Sequence, residues 1–176
     1  MKHLTKALVV IALGILIILA QSHEQNKTQE TAPEISALVE LIRVVDGDTI
    51  VVKLNGDDEK IRIIGIDTPE SVKPHSPVEC FAKEATEHIG ELLNTGENVK
   101  IETDPTQDTR DTYGRLLAHV FVGDINIGQH MIQDGYAYEY TYDNTYKYQG
   151  VYRDAQSEAR RAQQGLWSPE TCSGRR

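Results

Sequence analysis

Between Ala37 and Ile66 the chain runs through three stretches rich in Val, Ile and Leu separated by turn signals, and this pattern constrains the fold more than any other feature. Asp46-Gly47-Asp48 interrupts the stretch from Ala37 to Leu54, and Asp-Gly between apolar runs marks a tight turn or a bulge. Asn55-Gly56 is a second turn, and the third stretch, Lys60 to Ile66, alternates Arg62 against Ile61 and Ile63 with the period of a strand. Such a meander favours antiparallel pairing. From Glu79 to Leu93 the period changes: Cys80, Phe81, Ala85, Ile89, Leu92 and Leu93 recur at helical spacing until Asn94 to Gly96 stops the pattern. Val99 to Glu102 and Leu116 to Val122 supply two more strands around a polar loop from Thr103 to Gly114. A short amphipathic helix over Ile125 to Gln133 ends at Gly135, and a longer polar helix runs from Tyr152 to Gln163 before Gly165. Five strands, with helices after the third and the fifth, describe an α+β chain. A five-stranded OB-type Greek-key β-barrel with about three α-helices answers to that order.

Ahead of this domain, Lys2, His3 and Lys6 precede an unbroken apolar run from Ala7 to Ala20, followed by Gln21 and Ser22. A basic start, a short apolar run and small residues at its end have the grammar of a signal peptide over residues 1–22. An N-terminal anchor is the weaker alternative, because a bilayer-spanning helix takes about 20 apolar residues. Under either reading the chain is expected to be secreted or extracytoplasmic, held at the membrane only if the segment stays uncleaved. Residues 23–36 are polar and read as a disordered spacer, with the domain over 37–170 and a tail over 171–176. Cys80 and Cys172 are the only cysteines, and in an oxidising compartment an even pair is expected to bridge, with Trp167 docking the tail. No Cys or His flanks them at ligand spacing, so they do not form a zinc site.

Three short segments carry polar groups whose combination has chemical meaning. Asp46-Gly47-Asp48-Thr49 lies between strands, Arg62 leads to Asp67-Thr68-Pro69-Glu70, and Asp111-Thr112-Tyr113-Gly114-Arg115 opens the last strand. Each alone has an ordinary structural reading, as a turn, a helix entry or a solvated arginine. Together they supply what cleavage of a phosphodiester requires: hard oxygen ligands for a cation, forked donors for phosphate oxygens, and an acceptor for a proton of water. Pro69 restricts Thr68 to extended backbone, which helps aim its carbonyl.

In order and spacing the set resembles the staphylococcal nuclease (thermonuclease) family, with the similarity running from about Leu41 to Trp167. The resemblance implies that Asp48, Asp67 and the Thr68 carbonyl hold Ca2+, with Asp46 behind them. It implies that Arg62 and Arg115 clamp the phosphate and that Glu70 takes the proton of the attacking water. It also implies hydrolysis of DNA and RNA with little sequence preference, leaving 3′-phosphate ends, by a chain that needs no protein partner and acts as a monomer. Tyr113 fits the nucleotide-binding part of the motif.

Seven of the eight tyrosines lie between Tyr136 and Tyr152, and Tyr136, Tyr138, Tyr140 and Tyr142 alternate as in a strand. One side of such a row can stack on bases, although most of these rings are expected to pack in the barrel. The family places two tyrosines here, of which the resemblance carries over Tyr142 and leaves the second unassigned. Thr112 stands where the best-known member has a lysine. The formal net charge is −9, and loss of Lys2 and Lys6 with the leader makes it more negative, so attraction to a polyanion must be local and aided by bound cations. His75, His88, His119 and His130 lack ligand spacing and are read as incidental. Two other readings of the same residues are a non-catalytic OB-type module that only binds nucleic acid and an extracytoplasmic protein that only binds calcium. Joint presence of Arg62, Glu70 and Arg115 with the acidic residues favours the enzyme.

Overall fold

The first two turns form where their residues dictate. β1 (Ser36–Asp46) and β2 (Thr49–Leu54) pair antiparallel across Gly47-Asp48, and β3 (Asp57–Ile63) follows β2 across Asn55-Gly56. Asn55 and Gly56 both have positive φ, at 54° and 95°, as a two-residue hairpin of primed type requires. The computed structural model describes residues 34–70 and 78–175, all within one compact unit, Ala32–Arg176. The expected leader, most of the spacer and the segment containing Lys73, Pro74, His75 and Pro77 lie outside the described residues. The first strand opens one residue before the expected start, and Ile35 is already tied to Thr103 through N–H to Oγ1 (2.7 Å) and C=O to N–H (2.9 Å).

β1 serves two neighbours. Its first half, Ser36 to Glu40, pairs with β5 (Asn98–Glu102), and its second half pairs with β2. Register shifts between Leu41 and Arg43 and between Val44 and Asp46 bend the strand from one partner to the other, as bulges do. β5 pairs antiparallel with β6 (Leu116–Val122), and β6 closes on β3 in a parallel joint, Ile61 to Leu116 through Ile63 to Ala118. The result is the expected closed five-stranded barrel, filled by side chains that include Leu41, Ile50, Val52, Ile61, Ile63, Val99, Ile101, Leu116, Ala118 and Val120. The closing joint departs from the antiparallel expectation, because it pairs strands far apart in sequence that no turn connects.

Three shorter pieces also depart. The third strand ends at Ile63, and Gly65 (φ 83°) turns the chain under the Tyr146 ring, so Ile66 falls in a separate β4 (Ile66–Asp67). The tyrosine row makes a ladder only at β8 (Tyr138–Glu139), which pairs with β4. Ile125 and Asn126 form β7 (Ile125–Asn126), beside β6, rather than the first turn of a helix.

Three α-helices cover the barrel among the described residues: α1 (Ala82–Leu92), α2 (Ile127–Gln133) and α3 (Gln149–Ala162). Asn126 caps α2 by accepting from the Gln129 N–H (3.1 Å) and also accepts from the buried Tyr152 hydroxyl (2.7 Å), which ties α2 to α3. Among the described residues no helix is long and apolar enough to cross a membrane.

Cys80 and Cys172 are bonded, with their Cα atoms 6.0 Å apart. The bridge sits beside a small apolar cluster of Tyr138, Leu166 and Cys172, against which Phe81 and Trp167 pack, so the tail is docked as well as tethered. A crosslink spanning 92 positions removes much unfolded-state freedom. Replacing both cysteines by serine is expected to cost about 2 to 5 kcal/mol and to lower Tm by about 5 to 15 °C, measured by calorimetry.

Candidate active site

The barrel brings three separated strand ends together. The β2 to β3 register sets Arg62 opposite Thr49, and the parallel β3 to β6 joint sets it opposite Leu117, just past Arg115. Asp48 immediately precedes Thr49, and its carbonyl accepts from the Ile63 N–H (2.9 Å). Asp46, Asp48, Arg62, Asp67, Thr68, Glu70 and Arg115 therefore line one hollow of about 210 Å³, together with Pro69 and Glu79. Every candidate metal-binding and catalytic residue read from the sequence is in this set.

Asp48 is the hub of the hollow. One carboxylate oxygen accepts from the Thr49 hydroxyl (2.9 Å), and the other accepts from the Thr68 N–H (3.1 Å) and hydroxyl (3.2 Å). A Cβ on Gly47 would fall 2.8 Å from Thr68 Cγ2 and Oγ1, so only glycine lets Thr68 close over this turn. The Arg62 side chain, 14% exposed, places Nη2 at 3.1 Å from Asp48 and 3.3 Å from Asp67. Its Nη1 donates to the carbonyls of Ile63 (2.9 Å) and Ile66 (2.8 Å), which fixes the guanidinium plane.

Arg115 is fixed in a similar way. Its Nε donates to Asp111 (2.6 Å) and its Nη1 to the Thr49 hydroxyl (3.2 Å). The other Asp111 oxygen accepts from the N–H groups of Tyr113 (2.9 Å) and Arg115 (3.0 Å), which shapes the turn. Burial alone would raise the Asp111 pKa, but these bonds outweigh it and hold the carboxyl below its usual range. Arg110 adds a clamp that the sequence did not reveal. Its two Nη atoms each donate at 2.8 Å to one oxygen of Glu59 on β3, and Nη1 also donates to the Gly114 carbonyl (2.7 Å). No local motif announces this pair, since the two residues are 51 positions apart.

The hollow opens into a groove of about 530 Å³ that shares Arg62, Asp67 and Arg115 with it. Tyr113 (84% exposed) and Tyr142 (72%) both line this groove. Tyr140, left unassigned in the sequence, joins them with its ring 6.3 Å from that of Tyr142. Its position two residues before Tyr142 was the available signal. Thr112 also lines the groove. Tyr146 and Tyr152 are buried in the core, where burial raises both phenol pKa values. The described histidines stand outside both cavities: His119 is buried beside Asp104 (3.4 Å), and His88 meets Asp134 (2.9 Å).

Two features bear on whether the hollow suits a cation. Burial, and then the neighbouring Asp48 carboxylate, push the Asp46 carboxyl up to about 6. The hollow is lined by five carboxyls, of Asp46, Asp48, Asp67, Glu70 and Glu79, against the two guanidiniums of Arg62 and Arg115, an excess that a bound cation would relieve. Among the described residues no three His, Cys, Asp or Glu side chains make a metal cage by themselves. Asp48, Asp67 and Thr68, the ligands expected from the resemblance, all line the hollow. All are hard oxygen donors, which suits calcium rather than a softer ion.

The family described as Staphylococcal nuclease homologue matches residues 60–169. A thermonuclease of Staphylococcus hyicus is 34% identical over 171 residues, covering 96% of this chain and 99% of that protein. The thermonuclease of Staphylococcus intermedius is 33% identical over 95% of this chain and 99% of its own length. Endonuclease YncB of Bacillus subtilis (strain 168) is 35% identical over 84% of this chain and 72% of its length. With a closed OB-type barrel, a family match over residues 60–169 and two thermonucleases matched over nearly their whole length, the chain belongs to the staphylococcal nuclease family.

Proposed function

We propose that this protein is an exported, calcium-dependent nuclease that hydrolyses DNA and RNA with little sequence preference and leaves 3′-phosphate ends. The observation that carries the reading is the convergence of Arg62, Arg115, Glu70, Asp48 and Asp67 on one hollow that opens into a tyrosine-lined groove. Family membership and relatives named as thermonucleases and an endonuclease support a phosphodiesterase. Export is supported by the leader and fits the disulfide.

Asp48, Asp67 and the Thr68 carbonyl would hold calcium, which when bound would supply Lewis-acid charge against the negative charge growing on the phosphate oxygens. Arg115, locked by Asp111 and Thr49, keeps Nη2 for a phosphate oxygen and needs no reorganisation as that charge develops, whereas Arg62 gives up its Nη2 contacts with Asp48 and Asp67 to the phosphate. Glu70 receives a proton from the attacking water, whose oxygen bonds to phosphorus as the bond from phosphorus to the 5′ oxygen breaks. The departing oxygen takes up a proton from solvent and leaves as a 5′ hydroxyl. Tyr113, Tyr140 and Tyr142 stack on bases, which every base allows, and this accounts for the low sequence preference.

Products of a 5′-labelled oligonucleotide should resist polymerase extension until a phosphatase removes the 3′ phosphate. Magnesium in place of calcium should support weaker turnover or none, because this sparse oxygen set falls short of the near-ideal octahedron that magnesium demands. Products that extend without phosphatase treatment would overturn the assigned polarity.

A further inference from the structure

Glu79 is outside the set of residues assigned to the reaction, yet it lines the same hollow as Glu70, Arg62 and Arg115. Two hydrogen bonds join it to Glu70. The Glu70 N–H donates to Glu79 Oε2 (2.9 Å), and the Glu79 N–H donates to the Glu70 carbonyl (3.1 Å). A single residue thus holds both main-chain polar groups of Glu70.

Glu79 is itself anchored. Its carbonyl accepts from the Ala82 N–H (3.2 Å) at the entry to α1. Cys80, next in the chain, is bonded to Cys172, and the Phe81 ring stacks on Tyr136 with centroids 5.2 Å apart. Contacts that fix the start of α1 and the tail are therefore carried to the main chain of Glu70.

We propose that Glu79 is a positioning residue for Glu70, acting as a hydrogen-bond acceptor that sets the main chain from which the Glu70 side chain reaches the attacking water. The proposal rests on the reading of Glu70 as the proton acceptor. The bond lies at the surface, so it adds little to stability. Its value is geometric, because a displacement of about 1 Å in a reacting group costs up to roughly 10²-fold in rate. The role requires an acceptor at the reach of a glutamate and does not require a charge. A carboxylate that served the cation or took the proton itself would require the charge.

Two variants of the full-length protein separate these roles. Glu79→Gln keeps the reach and the acceptor oxygen but removes the charge, whereas Glu79→Asp keeps the charge and is one methylene too short. Steady-state cleavage of an oligonucleotide at varied calcium should show Glu79→Asp with kcat lowered about tenfold. Its KM and half-saturating calcium should stay within about twofold, and its Tm within a few degrees. Glu79→Gln should stay within about threefold of the unmodified protein in kcat. Equal loss in both variants, a greater loss in Glu79→Gln, or no loss in Glu79→Asp would each overturn the proposal. Glu70→Gln run alongside distinguishes the underlying reading, since a wild-type rate there would show that Glu70 is not the acceptor.

Discussion

Arg115→Lys is expected to lower kcat by roughly 10² to 10³-fold while leaving KM within a few-fold. Nε is committed to Asp111 and Nη1 to Thr49, so the guanidinium is fixed at the rim shared by hollow and groove. Its forked donors then meet charge that develops mainly in the transition state, and such an interaction appears in kcat. Lysine keeps the positive charge but offers a point donor on a flexible stem, with neither the fork nor the lock. The measurement is steady-state cleavage at saturating calcium, with circular dichroism to confirm the fold. Activity within a few-fold of the unmodified protein would show that Arg115 is no clamp.

Asp48→Asn should be at least as damaging, by a different route. The substitution nearly preserves shape but replaces an oxygen by an NH2 group where Asp48 now accepts from Thr49, from the Thr68 N–H and hydroxyl, and pairs with Arg62. One donor must then face another, and the negative charge that would hold the cation is lost. Turnover is expected to fall by about 10²-fold or more, with the half-saturating calcium concentration raised more than about tenfold. Calcium titration of initial rates reads both quantities. An unchanged calcium requirement would remove Asp48 from the ligand set.

Much of this centre is legible in the sequence because its parts sit in short motifs with strong local signals. Asp46-Gly47-Asp48 is a turn whatever surrounds it, and Arg62 is marked by alternation with Ile61 and Ile63. What local signals miss is set by distant pairing. The parallel joint of β3 and β6 places Arg62 beside the approach to Arg115, yet no turn connects those strands. The clamp of Arg110 on Glu59 and the tie from Glu79 to Glu70 leave no pattern in either segment. The tyrosine row misleads for a related reason. Tyr136, Tyr138, Tyr140 and Tyr142 have the period of a strand, but β4 offers only two residues to pair with, so the ladder stops at Glu139. Tyr140 still donates its N–H to the Gly65 carbonyl (3.0 Å), and it lines the groove with Tyr142.

Calcium dependence of plasmid cleavage by the purified full-length protein tests the central claim most directly, that the acidic hollow is a cation-assisted phosphodiesterase centre. Supercoiled DNA should be nicked and then degraded in millimolar calcium, should stay intact when a chelator is in excess, and should be cleaved again when calcium is restored. Undiminished cleavage in excess chelator, or no cleavage by folded protein in calcium, would contradict it.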